Sequence, residues 1–179
     1  MKINNVYLGI DPGLATTGVA LIENGKIIDT AVLKPIHKKG DDRYFEIAYK
    51  ILEFILDINK IDTICIETQY MAINAGTSLK LAKLRGVIEG TLHYEFMLRR
   101  MEKGERRRIV APEFIEIAPS QTKSLISKAT VRLKREESKK AVRAYIENLY
   151  PMLRGEDENV LDAVLLALTG DYMLSKRVD

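Results

Sequence analysis

Three acidic residues far apart in the chain, Asp11, Glu67 and Asp162, stand where their side chains could work together. Asp11 closes the apolar run Val6 to Ile10, just ahead of a Pro12-Gly13 turn, and Glu67 closes the β-branched run that starts at Thr63. If these runs are neighbouring parallel strands, their ends lie about 4.8 Å apart and both carboxylates leave one sheet edge. That edge, at the carboxyl ends of strands, is where open α/β sheets bind ligands. Carboxylates so close repel each other unless a proton or a cation lies between them. An oxygen-only set favours Mg²⁺, with Mn²⁺ as a substitute. Zinc is disfavoured, because Cys65, His37 and His93 show no ligand spacing.

Asp162 is the third acid. Glu158 precedes it by four residues and Asn159 by three, so all three share a helical face. Its neighbours Val160, Leu161, Val164 and Leu165 are apolar, which places an acid in a core-facing stripe, where it needs a partner. For Asp157 and Glu158 the plain alternative is stabilisation of a helix N-terminus. That account fits Asp162 less well, because it lies beyond the first turn. Taken alone, Asp11 before Pro-Gly could equally mark a turn, or the phosphate loop of an actin-like ATPase.

These residues need elements to position them. Val6 to Ile10, Thr17 to Ile22 and Lys26 to Leu33 read as three antiparallel strands, with Asn24-Gly25 as a two-residue hairpin turn. From Asp41 to Ile58 the apolar period becomes helical. Thr63 to Glu67 is continuous rather than alternating, as in a strand buried on both sides. A long helix is expected from near Ser78 to about Arg100, with two apolar stripes. One runs Leu81, Leu84, Ile88, Leu92, Phe96 and the other Leu79, Ala82, Gly86, Gly90, Met97. The second stripe reads equally as a contact with another subunit or as a surface covered within the chain. Phe114 to Ala118 is a fifth strand, Pro119 starts a short helix carrying Lys123, and a helix follows from Glu136 to Leu149. In that helix Val142, Tyr145, Ile146 and Leu149 are expected to face inward. The last helix begins near Glu158. The sum is a mixed α/β layer fold in a single domain spanning residues 1–179.

Composition narrows the classes. The 179 residues are 46% hydrophobic and 30% charged, which excludes a largely disordered chain. One cysteine excludes a disulfide framework. Neither a leader nor a membrane span is evident, so a soluble cytoplasmic protein with no membrane partner is expected. The net charge of +3 is uneven: residues 99–154 carry 15 basic and 7 acidic side chains, and residues 155–179 carry 2 and 6. A basic third of this kind suggests a polyanion as partner. Together with the separated acids, it suggests metal-dependent chemistry on a phosphodiester.

The blocks Leu8-Gly9-Ile10-Asp11-Pro12-Gly13 with Thr17-Gly18, Ile66-Glu67-Thr68-Gln69-Tyr70-Met71-Ala72 with Asn74-Ala75, Leu79-Lys80-Leu81 and Arg85-Gly86, Pro119-Ser120-Gln121-Thr122-Lys123, and Asp162-Ala163 with Leu166-Ala167-Leu168 occur in order. This series resembles the RuvC-type Holliday-junction resolvases of the RNase H-like superfamily. The resemblance implies an RNase H-like fold: a five-stranded mixed sheet, three antiparallel strands then two parallel, flanked by helices. It also implies a homodimeric, Mg²⁺-dependent endonuclease that nicks opposed strands of a four-way DNA junction. Asp11, Glu67 and Asp162 match three of the family's four acids, which implies that they hold the metal. The fourth position is Asn159, so either Asn159 serves or Glu158 reaches in. Tyr70 matches an aromatic position near the junction centre, and Lys123 and Lys139 match positions on the scissile-strand backbone.

Lys134 and Arg135 extend the same basic third. The stretch Arg99 to Arg108, with Arg106 and Arg107, is a candidate phosphate-binding loop or a solvated charge run. Rival readings are an RNase H-like nuclease acting on other branched DNA, flaps or hybrids, and a junction-binding protein weakened in catalysis. An actin-like ATPase needs two such lobes and does not fit this length. A branch-migration motor stays open as a partner.

Overall fold

The computed structural model describes residues 5–37, 39–68, 75–102, 111–127 and 132–176. Five strands form one sheet: β1 (Val6–Asp11), β2 (Thr17–Glu23), β3 (Lys26–Leu33), β4 (Thr63–Glu67) and β5 (Glu113–Ile117). Their order is β3-β2-β1-β4-β5; β1 runs antiparallel to β2 and parallel to β4, and β5 parallel to β4. The helices are α1 (Asp42–Phe54), α2 (Ala75–Glu102), α3 (Pro119–Ile126), α4 (Arg135–Leu149) and α5 (Glu158–Ser175), with a 3₁₀ turn at Pro151–Leu153. The expected five-stranded mixed sheet is therefore present. The Asn24-Gly25 hairpin takes the positive φ values, 50° and 74°, that such a turn demands.

Strand parity divides the core in two, since successive side chains leave opposite faces. Leu8, Ile10, Ile64 and Ile66 pack under α1 and α2 with Ile47, Ile51, Leu84 and Ile88. Tyr7, Cys65, Ile115 and Ile117 face the other way, under α5 and α4. Asp11 shares the parity of Tyr7 and Gly9, and Glu67 shares that of Cys65. Both acids therefore emerge on the α5 face. Helix α5 is apolar around most of its girth and nearly all buried, as a helix laid across a sheet must be.

Four local expectations shift. Helix α1 stops at Phe54 and continues as a turn, though Ile55 stays in the core. Helix α2 starts at Ala75, three residues early, and runs to Glu102. The Pro151–Leu153 turn, unforeseen, follows α4 directly. Leu149 is 47% exposed rather than inward. The buried row of α4 is Ser138, Val142, Ile146 at steps of four, and its next step is Tyr150, whose hydroxyl donates to Gly25 O at 2.7 Å.

Of the two α2 stripes, Leu84, Ile88, Leu92 and Phe96 are buried on the sheet. The other is uncovered among the described residues: Leu79 and Met97 are exposed, and a Cβ added at Gly86 or Gly90 would meet nothing within 4 Å.

Candidate active site

The register pairs Ile10 with Ile66, so Asp11 and Glu67 follow side by side at the ends of adjacent parallel strands. The turn after β1 is fixed by Thr17, whose hydroxyl donates to Gly13 O at 3.1 Å while accepting from Gly13 N–H at 3.3 Å. Asp162 arrives from above on α5. How closely α5 approaches is decided by glycines on the sheet. A Cβ at Gly9 would collide with the Ala163 carbonyl and reach the Ala167 nitrogen at 3.0 Å, and one at Gly18 would collide with the Asn159 carbonyl. Main chain therefore lies against main chain, and Asp162 comes down beside the two strand ends. Both glycines lie inside the motifs named above, and their shared parity with Asp11 is the signal the sequence offers for this role.

The acids act on one another electrostatically. Burial, followed by the charges of Asp162, Glu67 and Glu158, pushes the Asp11 carboxyl up to about 8. Glu67 is pushed up to about 7 by burial and then by Asp162, against the pull of Lys123. Asp162 rises to about 6 through burial and then Glu158, opposed by Lys139 and Lys123. Carboxyls this destabilised as anions call for a proton or a cation. Asp11 and Asp162 each feel more than one other acid of the site, yet among the described residues no three Asp, Glu, His or Cys side chains are already closed into a metal-holding cluster.

Beside the acids opens a cleft of about 200 Å³, lined by Glu67, Asp162, Lys123, Arg135, Ser138 and Lys139 among others. Lys123 is held on α3, whose first turn is closed by Gln121 Oε1 accepting from Ala118 N–H at 2.7 Å. Lys139 Nζ donates to Glu158 Oε2 at 2.8 Å, tying α4 to the start of α5.

Asn159 and Glu158 are engaged differently. Asn159 turns its amide to Asp157, with Nδ2 donating to Oδ1 at 2.6 Å, and its backbone rests on Gly18. Glu158 is the residue whose charge reaches Asp11 and Asp162. Of the basic candidates, Lys123, Lys139 and Arg135 line the cleft, whereas Lys134 does not. It sits exposed before α4, its N–H donating to Glu137 at 3.2 Å. Tyr70, Arg106 and Arg107 lie outside the described residues.

Residues 7–99 match the family model described as crossover junction endodeoxyribonuclease RuvC. The chain belongs to that family. The RuvC of Aliarcobacter butzleri is 36% identical over 93 residues, which are 50% of this chain and 60% of that protein. The RuvC of Hydrogenovibrio crunogenus is 26% identical over 176 residues, 96% of this chain and 90% of that protein. In the former and in two further RuvC relatives the match spans only 52–60% of the relative's own length. Among solved structures, Thermus thermophilus RuvC in complex with Holliday junction substrate superposes with a TM-score of 0.68 at 17% identity, over 97% of this chain and 96% of that one. The yeast mitochondrial Holliday junction resolvase Ydc2 gives 0.59 at 16%, over 92% and 78%. These structural likenesses carry the RNase H-like fold. The family model ends at residue 99, so Lys123, Lys139, Glu158 and Asp162 lie beyond it, within the longer alignment to the Hydrogenovibrio protein.

Proposed function

We propose that this chain is a divalent-metal-dependent endonuclease that resolves four-way DNA junctions by paired phosphodiester hydrolysis, acting as a homodimer. One observation carries the reading: Asp11, Glu67 and Asp162, from three separate elements, converge beside a cleft lined by Lys123, Arg135 and Lys139. The thermophilic RuvC solved with Holliday junction substrate supports the choice of DNA.

The residues fit a hard divalent cation. Their donors are all oxygen, and the buried negative charge exceeds what the two nearby lysines balance. Asp11, Glu67 and Asp162 would hold Mg²⁺ or Mn²⁺, drawing inward to do so. A cation there supplies water activation and shields the charge that develops on phosphorus. Lys123 and Lys139 neutralise the phosphates on either side of the bond to be cut, and Arg135 extends that track. Glu158, held by Lys139, is the fourth acid; Asn159 serves the helix start instead.

The uncovered stripe of α2 supports the dimer. Leu79, Tyr94, Met97 and Met101 are 73%, 59%, 48% and 69% exposed around the bare Gly86 and Gly90, which lets two helices approach closely. Two copies related by a two-fold axis suit a two-fold substrate.

The deciding experiment is Asp11→Asn on a synthetic four-way junction, beside flap and hybrid controls. Binding is retained and Mg²⁺-dependent paired nicking is lost; continued nicking removes Asp11 from the mechanism, and equal cutting of flaps or hybrids favours a broader nuclease. A weakened, binding-only protein is the second reading, motivated by the engaged Asn159 amide. It predicts junction binding by the unaltered chain with no cutting in Mg²⁺ or Mn²⁺.

A further inference from the structure

The basic cleft lies on one side of the acids, toward β5 and α3. The opposite side is occupied by the turn between β3 and α1, which none of the motifs covers. Gly18 pairs with Asp11 on one flank and with Val32 on the other, so these three residues stand in a row across β1, β2 and β3. At strand spacing the row puts Val32 about 10 Å from Asp11. Lys34 comes two residues later, past the same sheet edge. Its charge reaches Asp157 at the start of α5, helping Asn159 to hold that carboxyl below its usual range.

This turn has a built shape. Glu46, on α1, accepts from the N–H of Ile36 at 2.6 Å and of His37 at 3.0 Å, and its carboxylate also meets His37 Nδ1 at 3.0 Å. The carboxyl is held down near 2 by those two backbone donors first. Clamped in this way, the turn presents Ile36 at 81% exposure, more than any other large apolar side chain among the described residues. Lys34 and Lys39 flank it, both exposed, and neither makes an ion pair with any described residue.

We propose that the turn after β3 is a second DNA-contacting element, in which Lys34 and Lys39 take backbone phosphates of a duplex arm leaving the acidic site and Ile36 rests against its sugars. The inference rests on the DNA reading above and adds a surface to it. The chemistry is that of a polyanion with an apolar sugar edge, matched by two exposed cations around one outward isoleucine. The spacing is suitable as well. The ~10 Å across the sheet is on the order of the ~12 Å width of a major groove. An arm with one strand over the acids therefore brings its other strand to the turn. Glu46 acts as a positioning residue, since its clamp fixes the loop before DNA arrives and lowers the ordering cost of binding.

The test is the affinity of the full chain for a fluorescent four-way junction, measured by anisotropy in EDTA across a salt series. Lys34→Ala with Lys39→Ala is expected to weaken binding and to flatten the dependence of log K on log salt by about 1 per lysine. Glu46→Gln removes a negative charge, which simple electrostatics says should tighten binding; the clamp predicts that it weakens binding instead. Lys123→Ala with Lys139→Ala reports on the cleft independently. If that pair loses affinity while Lys34, Lys39 and Glu46 variants match the unaltered chain, the second element is refuted and the DNA reading survives. If the unaltered chain fails to bind the junction at all, both fall together.

Discussion

The two faces of the sheet are built by different means. Under α1 and α2, large aliphatic side chains interlock, with Leu8, Ile10, Ile64 and Ile66 against Ile47, Ile51, Leu84 and Ile88. Under α5, the helix meets Gly9 and Gly18 with its own backbone, and Gly170 of the helix meets Cys65 in turn. The first face stores stability in side-chain volume and leaves an apolar stripe outside. The second sets a distance, and every acid of the site stands on it. Both faces carry a packed core, and the second also fixes where the acids stand.

The comparison breaks most easily through substitutions with similar effects on stability. Leu84→Ala should cost about 2–5 kcal/mol in a denaturant melt, since it opens a cavity in a packed core. Nicking per folded molecule should stay close to that of the unaltered chain. Gly9→Ala should cost a comparable amount, about 1–3 kcal/mol or more, because its Cβ would run into main chain of α5. Yet displacing Asp162 by as little as 1 Å should cut the nicking rate by about 10²-fold. Loss of activity in proportion to unfolding for both variants would show that the α5 contact sets no distance.

The faces should also titrate with opposite signs. Asp11 and Glu67, pushed up to about 8 and about 7, stay protonated in the folded chain after their unfolded counterparts have ionised near pH 4. Without divalent cation, folding stability should therefore fall as pH rises from about 4 to about 8. Asp11→Asn should flatten that decline in pH-dependent melts. Glu46, pulled down to about 2, behaves inversely: its contribution is present above about 4.5 and is lost as pH falls toward 2. Glu46→Gln should remove only that acid limb.

The smallest expected change is at Lys139. Its bridge to Glu158 is more than a third exposed at both ends, so Lys139→Met should alter stability by no more than about 1 kcal/mol. Junction binding should nevertheless lose about one unit of salt slope, a readout that a merely structural bridge would leave unmoved.

Much of this was legible in local pattern. Asp11 and Glu67 close runs with strand character, and a period of two is enough to send both to one face. The helical repeat of Val160, Leu161, Val164 and Leu165 placed Asp162 in a buried stripe. The choice of fourth acid was not legible, because Glu158 and Asn159 both lie within a turn of Asp162. At Asn159 the structure adds one long-range contact, its backbone seated against Gly18, and one local contact, its amide given to Asp157. Leu149 fits the helical period equally well, but the chain leaves α4 at Tyr150 to anchor the hairpin. The turn after β3 carried no signal beyond its lysines, since the carboxylate that shapes it comes from α1.

The seating of α5 on bare glycine backbone has a consequence for divergence. Where carbonyls and Cα atoms set the height of a helix, its outward side chains are released from that duty. Substitutions at its few exposed positions, Tyr172 and Ser175, should leave the acid it carries in place, while Gly9 and Gly18 have no room for a side chain although neither has a functional group.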